Sequence, residues 1–208
     1  MISSKTVHRS FALVLGVFVI SHLVVHVSAI FGANAHERAL SAVQTIYRNP
    51  IGEALLVFII LTQVLTGARR LRFKERERWA LLQVVSGCYL LTFLLLHTGA
   101  ALYTHHIFGL ETDFYWAAGS LHFSPIKYGF AAYYFAAVLA FFVHISAAIH
   151  FGWKQAPQGL TRGLPILGAI IGSLIVSIFW GAFYSIEISP EVIAYYEQNF
   201  GWLRLDRQ

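Results

Sequence analysis

Scarcity of sulfur narrows the chemistry open to this chain. Among its 208 residues there is one cysteine, Cys88, and one methionine, Met1. A lone cysteine excludes an intrachain disulfide and a thiolate cluster, and the absence of a C-x-x-C-H motif excludes covalently attached c-type haem. An iron porphyrin in such a chain would have to draw its axial ligands almost entirely from histidine. Charge is scarce as well. Only 12% of residues are charged against 57% apolar, and the mean hydropathy is +0.63. So little polar surface cannot cover a soluble globule of this size, which makes lipid part of the solvent.

What the chain has instead is long apolar runs. A hydrocarbon core of about 30 Å needs about 20 helical residues. Five stretches meet or approach this: residues 11–31, 51–68, 79–103, 128–151 and 164–184. The second carries Glu53 near its start and reaches the length of a span by tilting or by snorkelling of its ends. The first is too long and too polar at its end for a signal h-region, and no A-x-A-like site follows it, so it reads as a retained helix. The expectation is an all-α, single-domain polytopic bundle of five transmembrane helices over residues 1–208.

Basic residues divide unequally between the two sides that the five spans define. Lys5, Arg9, Arg69, Arg70, Arg72, Lys74, Arg76, Arg78, Lys154 and Arg162 fall on the N-terminal side; Arg38, Arg48, Lys127, Arg204 and Arg207 fall on the other. The positive-inside rule puts the N-terminus in the cytoplasm and the C-terminus outside, as in a multi-pass protein of the bacterial inner (cytoplasmic) membrane. The pI of about 9.5 then reflects topology and headgroup contact. Nucleic acid is not an expected partner, since the basic residues edge membrane spans without any nucleic-acid motif.

Three hydrophilic segments join the spans. Residues 32–50 suit an interfacial helix with Ala39, Val43 and Ile46 on one face. Residues 71–78, LRFKERER, form a charged hinge. Residues 104–127 hold His105, His106, Glu111, Asp113, Trp116 and His122, either an aromatic interfacial belt or the cap of a pocket. Quinone carbonyls need hydrogen-bond donors and their reduction needs protons, so His105, His106, Glu111 and Trp116 are candidates for a quinone site.

Four histidines fall within spans: His22 and His26 in the first, His97 in the third and His144 in the fourth. An imidazole without a partner in hydrocarbon costs several kcal/mol, so such residues face the bundle interior, bonded to a neighbouring helix or serving as ligands. Facing imidazoles on different helices, with no other soft or acidic ligand at their depth, point to bis-histidine ligation of b-type haem. Gly16, Gly67, Gly87 and Gly99 are small residues that offer room for a porphyrin. Zinc fits less well, lacking a third ligand nearby. Counting along the helices, depth pairs His97 with His26, whereas a weak repeat pairs it with His22. In that repeat His8 precedes His22 by the same 14 residues that separate Gln83 from His97. Residues 61–67 align likewise with 142–148, suggesting two helical hairpins plus a fifth helix.

The first run, HRSFALVLGVFVISH over residues 8–22, resembles the Q-S-A-T-G-L-x-L-G-x-F-x-I-x-H pattern of the dihaem cytochrome b membrane anchors of succinate dehydrogenases and fumarate reductases, the five-helix single-polypeptide type. QVVSG at 83–87, followed by His97, resembles that family's Q-R-x-[ST]-G…H. The resemblance covers about three quarters of the chain, over the first four spans. It implies that His22 and His97 ligate a haem nearer the outer face and that His144 matches one ligand of an inner haem. It further implies a flavoprotein and an iron–sulfur subunit on the cytoplasmic face, and quinone as the membrane partner. The family's second inner ligand is a histidine in H-x-x-x-G on the second span, where this chain has Gln63 before Gly67. One haem per chain is therefore expected, with Gln63 and His144 in polar contact. Two other classes remain open: a transporter or channel whose histidines relay protons or bind substrate, for which Pro165, Gly168 and Gly172 hint at a broken helix, and a cofactor-free assembly subunit.

Overall fold

The computed structural model describes residues 3–69, 77–204, 206 and 207. Five helices are long and apolar enough to cross a membrane: α1 (Ser4–Ser28, continued by a 3₁₀ turn to Phe31), α3 (Pro50–Ala68), α4 (Arg78–Leu102, continued by a π-turn Tyr103–Phe108), α6 (Ile126–Gly152) and α7 (Gln158–Phe179). The chain is an all-α, multi-pass membrane protein. The apolar window of α4 has a mean hydropathy of 1.9 and little of it is buried within the protein; one side lines an interior cavity, and Leu82, Val85 and Leu96 stay exposed on the other for lipid to cover. Most of the charged hinge expected at 71–78, and with it most of the basic surface at Arg69–Arg78, lies outside the described residues.

Caps explain where the spans begin. Ser3 accepts from the Thr6 N–H at the start of α1, and Asn49 accepts from the Gly52 N–H, with Pro50 at the first position of α3. Glu53, in the first turn of α3, meets His106 at 2.5 Å, so its carboxylate has a partner at the bundle end. The fifth span differs from the expected 164–184. It begins at Gln158, because helix continues ahead of Pro165, and it stops at Phe179. Its glycines do not break it. Gly168 lies against Phe142 and Gly172 against Phe135, so close that an added Cβ at Gly168 would stand 2.7 Å from the Phe142 Cβ. They allow α6 and α7 to pack backbone to backbone.

The end of the bundle away from the N-terminus is capped by three short helices, α2 (Ala33–Tyr47), α5 (Phe114–Gly119) and α8 (Pro190–Phe200). Residues 32–50 do contain a helix, α2, which turns His36 and Leu40 into the protein and leaves Ile46 76% exposed. Helix α8, which hydropathy alone does not reveal, seats Val192 and Tyr196 against Gly119, and the Tyr196 hydroxyl donates to the Trp116 carbonyl. A two-residue ribbon, β1 (Phe123–Ser124) with β2 (Asp206–Arg207), ties the C-terminal end to this cap.

Candidate functional site

A cavity of about 1160 Å³ runs through the bundle, lined from Lys5 and His8 at the N-terminal end to His36 and Arg48 at the other. Pockets for single drug-sized ligands span about 300–1,000 Å³. Three buried side-chain polar atoms lack a hydrogen-bond partner among the described residues: His36 Nδ1, Gln63 Oε1 and Trp116 Nε1. All three belong to residues lining this cavity. Unpaired buried polar groups cost about 1–3 kcal/mol each, and one of the three, His36 Nδ1, has a charged group near, the Glu37 carboxylate at 3.5 Å.

At the far level of the cavity α1 presents His22 and His26 one turn apart, and α4 presents His97. The His22 and His97 rings have centroids 6.1 Å apart at an interplanar angle of 65°. Each is braced by a parallel phenyl ring one turn earlier on its own helix, Phe18 for His22 and Phe93 for His97. His26 has both nitrogens engaged: Nε2 is 3.0 Å from His22 Nε2, and Nδ1 is 3.3 Å from His36 Nε2. His36, on α2, is packed between Phe114 and Phe179, and burial pushes its imidazole down to about 4. The His36 ring lies 3.5 Å from the Glu37 carboxylate, which in turn accepts from the Phe114 N–H. His36 was not among the candidates read from sequence; its place on the buried stripe of a helix that also carries Leu40 is the signal that marks it.

At the near level the expected contact between Gln63 and His144 is not formed. Gln63 instead places its Nε2 3.2 Å from His8 Nε2. His8 Nδ1 is 3.1 Å from the Thr66 hydroxyl, and the His8 ring lies over Gly67. His144 packs against the opposite wall, its Nδ1 3.2 Å from both the Ser86 hydroxyl and the Gln83 carbonyl, its ring over Gly87. The two walls carry matching sequences, QVLTG at 63–67 and QVVSG at 83–87. That match is the sequence signal for His8 as the counterpart of His144. Gly99, expected to make room for a porphyrin, is not part of the cavity wall, whereas Gly16, Gly67 and Gly87 are.

The quinone candidates separate. His105 and Trp116 line the cavity; His106 and Glu111 do not. His106 is half exposed and paired with Glu53, and Glu111, 69% exposed, takes a hydrogen bond of 2.6 Å from Arg48. Arg48 also donates to Thr112 at 3.1 Å and to His105 Nδ1 at 2.7 Å, so it gathers the loop over the cavity mouth. Asp113 caps α5 by accepting from the Trp116 N–H, and burial raises its carboxyl against that hydrogen bond.

A group of three or more metal-ligating side chains around one point is absent among the described residues, while imidazoles paired across a cavity are present. Paired imidazoles suit a metal whose other ligands come with it, as four porphyrin nitrogens do. The His22 and His97 rings are the pair of imidazoles that meet across the cavity from different spans. No family model, curated protein or solved structure matches this chain.

Proposed function

We propose that this chain is a haem b-binding membrane anchor that carries electrons between a cytoplasmic flavin and iron–sulfur dehydrogenase, of the succinate or fumarate type, and membrane quinone. The observation that carries the reading is the His22–His97 pair, 6.1 Å apart across a cavity large enough for a porphyrin. His22 suits the role better than His26, because its ring meets that of His97, whereas His26 is engaged through one nitrogen with His22 Nε2 and through the other with His36 Nε2. Haem would supply one-electron transfer; His22 and His97 would hold it, each with a phenyl ring stacked against it, Phe18 and Phe93, beneath a basic mouth. At that mouth Arg48 and the indole N–H of Trp116 are donors suited to a propionate or a quinone carbonyl. With the N-terminal end in the cytoplasm, as the basic residues favour, the dehydrogenase docks at the end that carries Lys154 and Arg162.

The test is the visible spectrum of the purified chain, oxidised and then dithionite-reduced. A b-type difference spectrum is expected, and His97→Ala removes the component due to this pair while insertion is retained. A spectrum identical in His97→Ala and wild type would sink the assignment.

One feature favours a second reading. His22, His26 and His36 form a string of imidazoles that reaches Glu37, itself about one third exposed, a geometry suited to proton relay in a transporter or channel. Absence of any haem from the purified chain, with proton flux lost in His26→Ala in proteoliposomes, would favour that reading.

A further inference from the structure

We propose that Phe18 and Phe93 are positioning residues that hold the imidazole planes of His22 and His97 crossed. The inference rests on the reading of this pair as a haem site and adds what sets the orientation of its ligands.

The two histidines share a local pattern that the other histidines on α1 and α6 lack. Phe18 precedes His22 and Phe93 precedes His97 by four residues, one turn away on the same helix face. The residue in that place is Ser4 for His8, His22 for His26, Ala140 for His144 and Ser146 for His150. Both phenyl rings lie nearly parallel to the imidazole that follows them, at 13° in each case, with centroids 5.9 Å apart at His22 and 5.0 Å apart at His97. The other rings beside His97 meet it at open angles, Trp116 at 49° and His22 at 65°. An imidazole turning about its Cβ–Cγ bond would drive an edge into the stacked phenyl face, so each plane follows its own phenylalanine. The 65° crossing is the result of two such stacks on different helices.

Each phenyl is in turn fixed from another helix. Tyr47 of α2 sets its ring edge-on to Phe18, at 5.5 Å and 85°. Tyr133 of α6 packs on Phe93 at 4.7 Å. There two hydroxyls run in opposite directions between the helices: Tyr133 donates to the Phe93 carbonyl at 3.5 Å, and Tyr89 of α4 donates to the Tyr133 carbonyl at 2.8 Å. This stitch fixes the height and rotation of Phe93 against α6. Contacts one shell out from a ligand orient it in this way, provided their own rotamers are locked. The crossing has a spectroscopic consequence. An imidazole donates π-electron density perpendicular to its plane, so parallel rings load one d orbital of a low-spin ferric iron, while crossed rings load two almost equally. Crossed planes therefore give a ferric EPR signal of high anisotropy, with its largest g value beyond that of parallel planes.

The experiment is EPR of the oxidised, purified full-length protein, with haem per chain measured on the same samples. The signal assigned to this pair is the one lost in His97→Ala, and in the wild type it is expected to be highly anisotropic. Phe93→Met keeps much of the volume and removes the flat face. Haem is expected to stay in this variant while the largest g value falls or broadens, and Phe18→Met should act likewise. Phe93→Tyr, which keeps the face, should retain the wild-type signal. Loss of haem in Phe93→Met with full haem in Phe93→Tyr supports the same role. A signal of the parallel type in the wild type, a signal unchanged in Phe93→Met, or equal changes in Phe93→Met and Phe93→Tyr overturn this inference and leave the haem site standing. No haem in the wild type overturns both.

Discussion

Gly87 lies directly beneath the imidazole of His144, where a Cβ would come within 3.1 Å of the ring's Cε1. The equivalent gap between Gly67 and His8 is 3.4 Å, ordinary contact. This difference sets the sign of two matched substitutions. Alanine in place of a helical glycine gains about 1 kcal/mol in propensity, while overpacking costs about 1–3 kcal/mol. Gly67→Ala is therefore expected to be neutral or mildly stabilising and Gly87→Ala destabilising by about 1 kcal/mol. Thermal unfolding of the two variants in detergent checks the order.

His22 and His26 lie one turn apart on α1 but face different neighbours. Only His22 is ring-to-ring with His97, while His26 bridges to His36. His22→Ala should abolish the far haem signal; His26→Ala should leave it in place with a shifted midpoint potential, because the imidazole next to the His22 ring is gone. Equal loss in both variants would mean that the pair is not the one proposed.

Arg48 holds Thr112, His105 and Glu111 from a largely buried position, whereas Glu111 is mostly in solvent. Arg48→Met should cost about 1 kcal/mol, since its lost partners are partly exposed and water can replace the guanidinium. Glu111→Gln should change stability by less than about 1 kcal/mol. If quinone reacts at this mouth, quinol-linked activity falls in Arg48→Met and survives in His106→Gln, since His106 lies outside the cavity wall.

Burial holds His36 neutral, with its value pushed from 6.5 down to about 4. The groups facing it are His26 from α1, Phe114 from α5, Phe179 from α7 and Glu37 on its own helix. The folded state binds fewer protons here than the unfolded one, so this contribution is complete above about pH 6.5 and is lost as pH falls towards 4. It amounts to about 3 kcal/mol. Melting temperature measured from pH 7.5 to 4 should drop over that window, and His36→Gln should flatten the drop.

The five spans were legible because hydropathy over about 20 residues is a strong signal, and their errors came at ends decided by caps and prolines. The fifth span was expected from residue 164, where the unbroken apolar run begins, yet helix precedes it from Gln158 and runs through Pro165. Helix α8 was missed because its apolar residues are few and polar ones interleave them; only packing against Gly119 and Trp116 gives them a partner. The repeat set His22 and His97 at equivalent positions, and their rings do lie 6.1 Å apart. His8 was not legible, because a histidine four residues into a span reads as a membrane-edge residue until Thr66 and Gly67 are seen beside it. Gln63 was paired with the wrong histidine for a related reason. Alignment of the hairpins set it at the depth of His144, and depth does not say which wall a side chain leaves from.

Leu13 and Val17 of α1 line the cavity and are also 75% and 68% exposed, so the wall there is shared between the interior and the surrounding acyl chains. The far end is roofed by α2, α5 and α8. A planar apolar molecule dissolved in the bilayer thus meets the interior sideways, by two-dimensional diffusion, and its occupancy follows its concentration in lipid rather than in water.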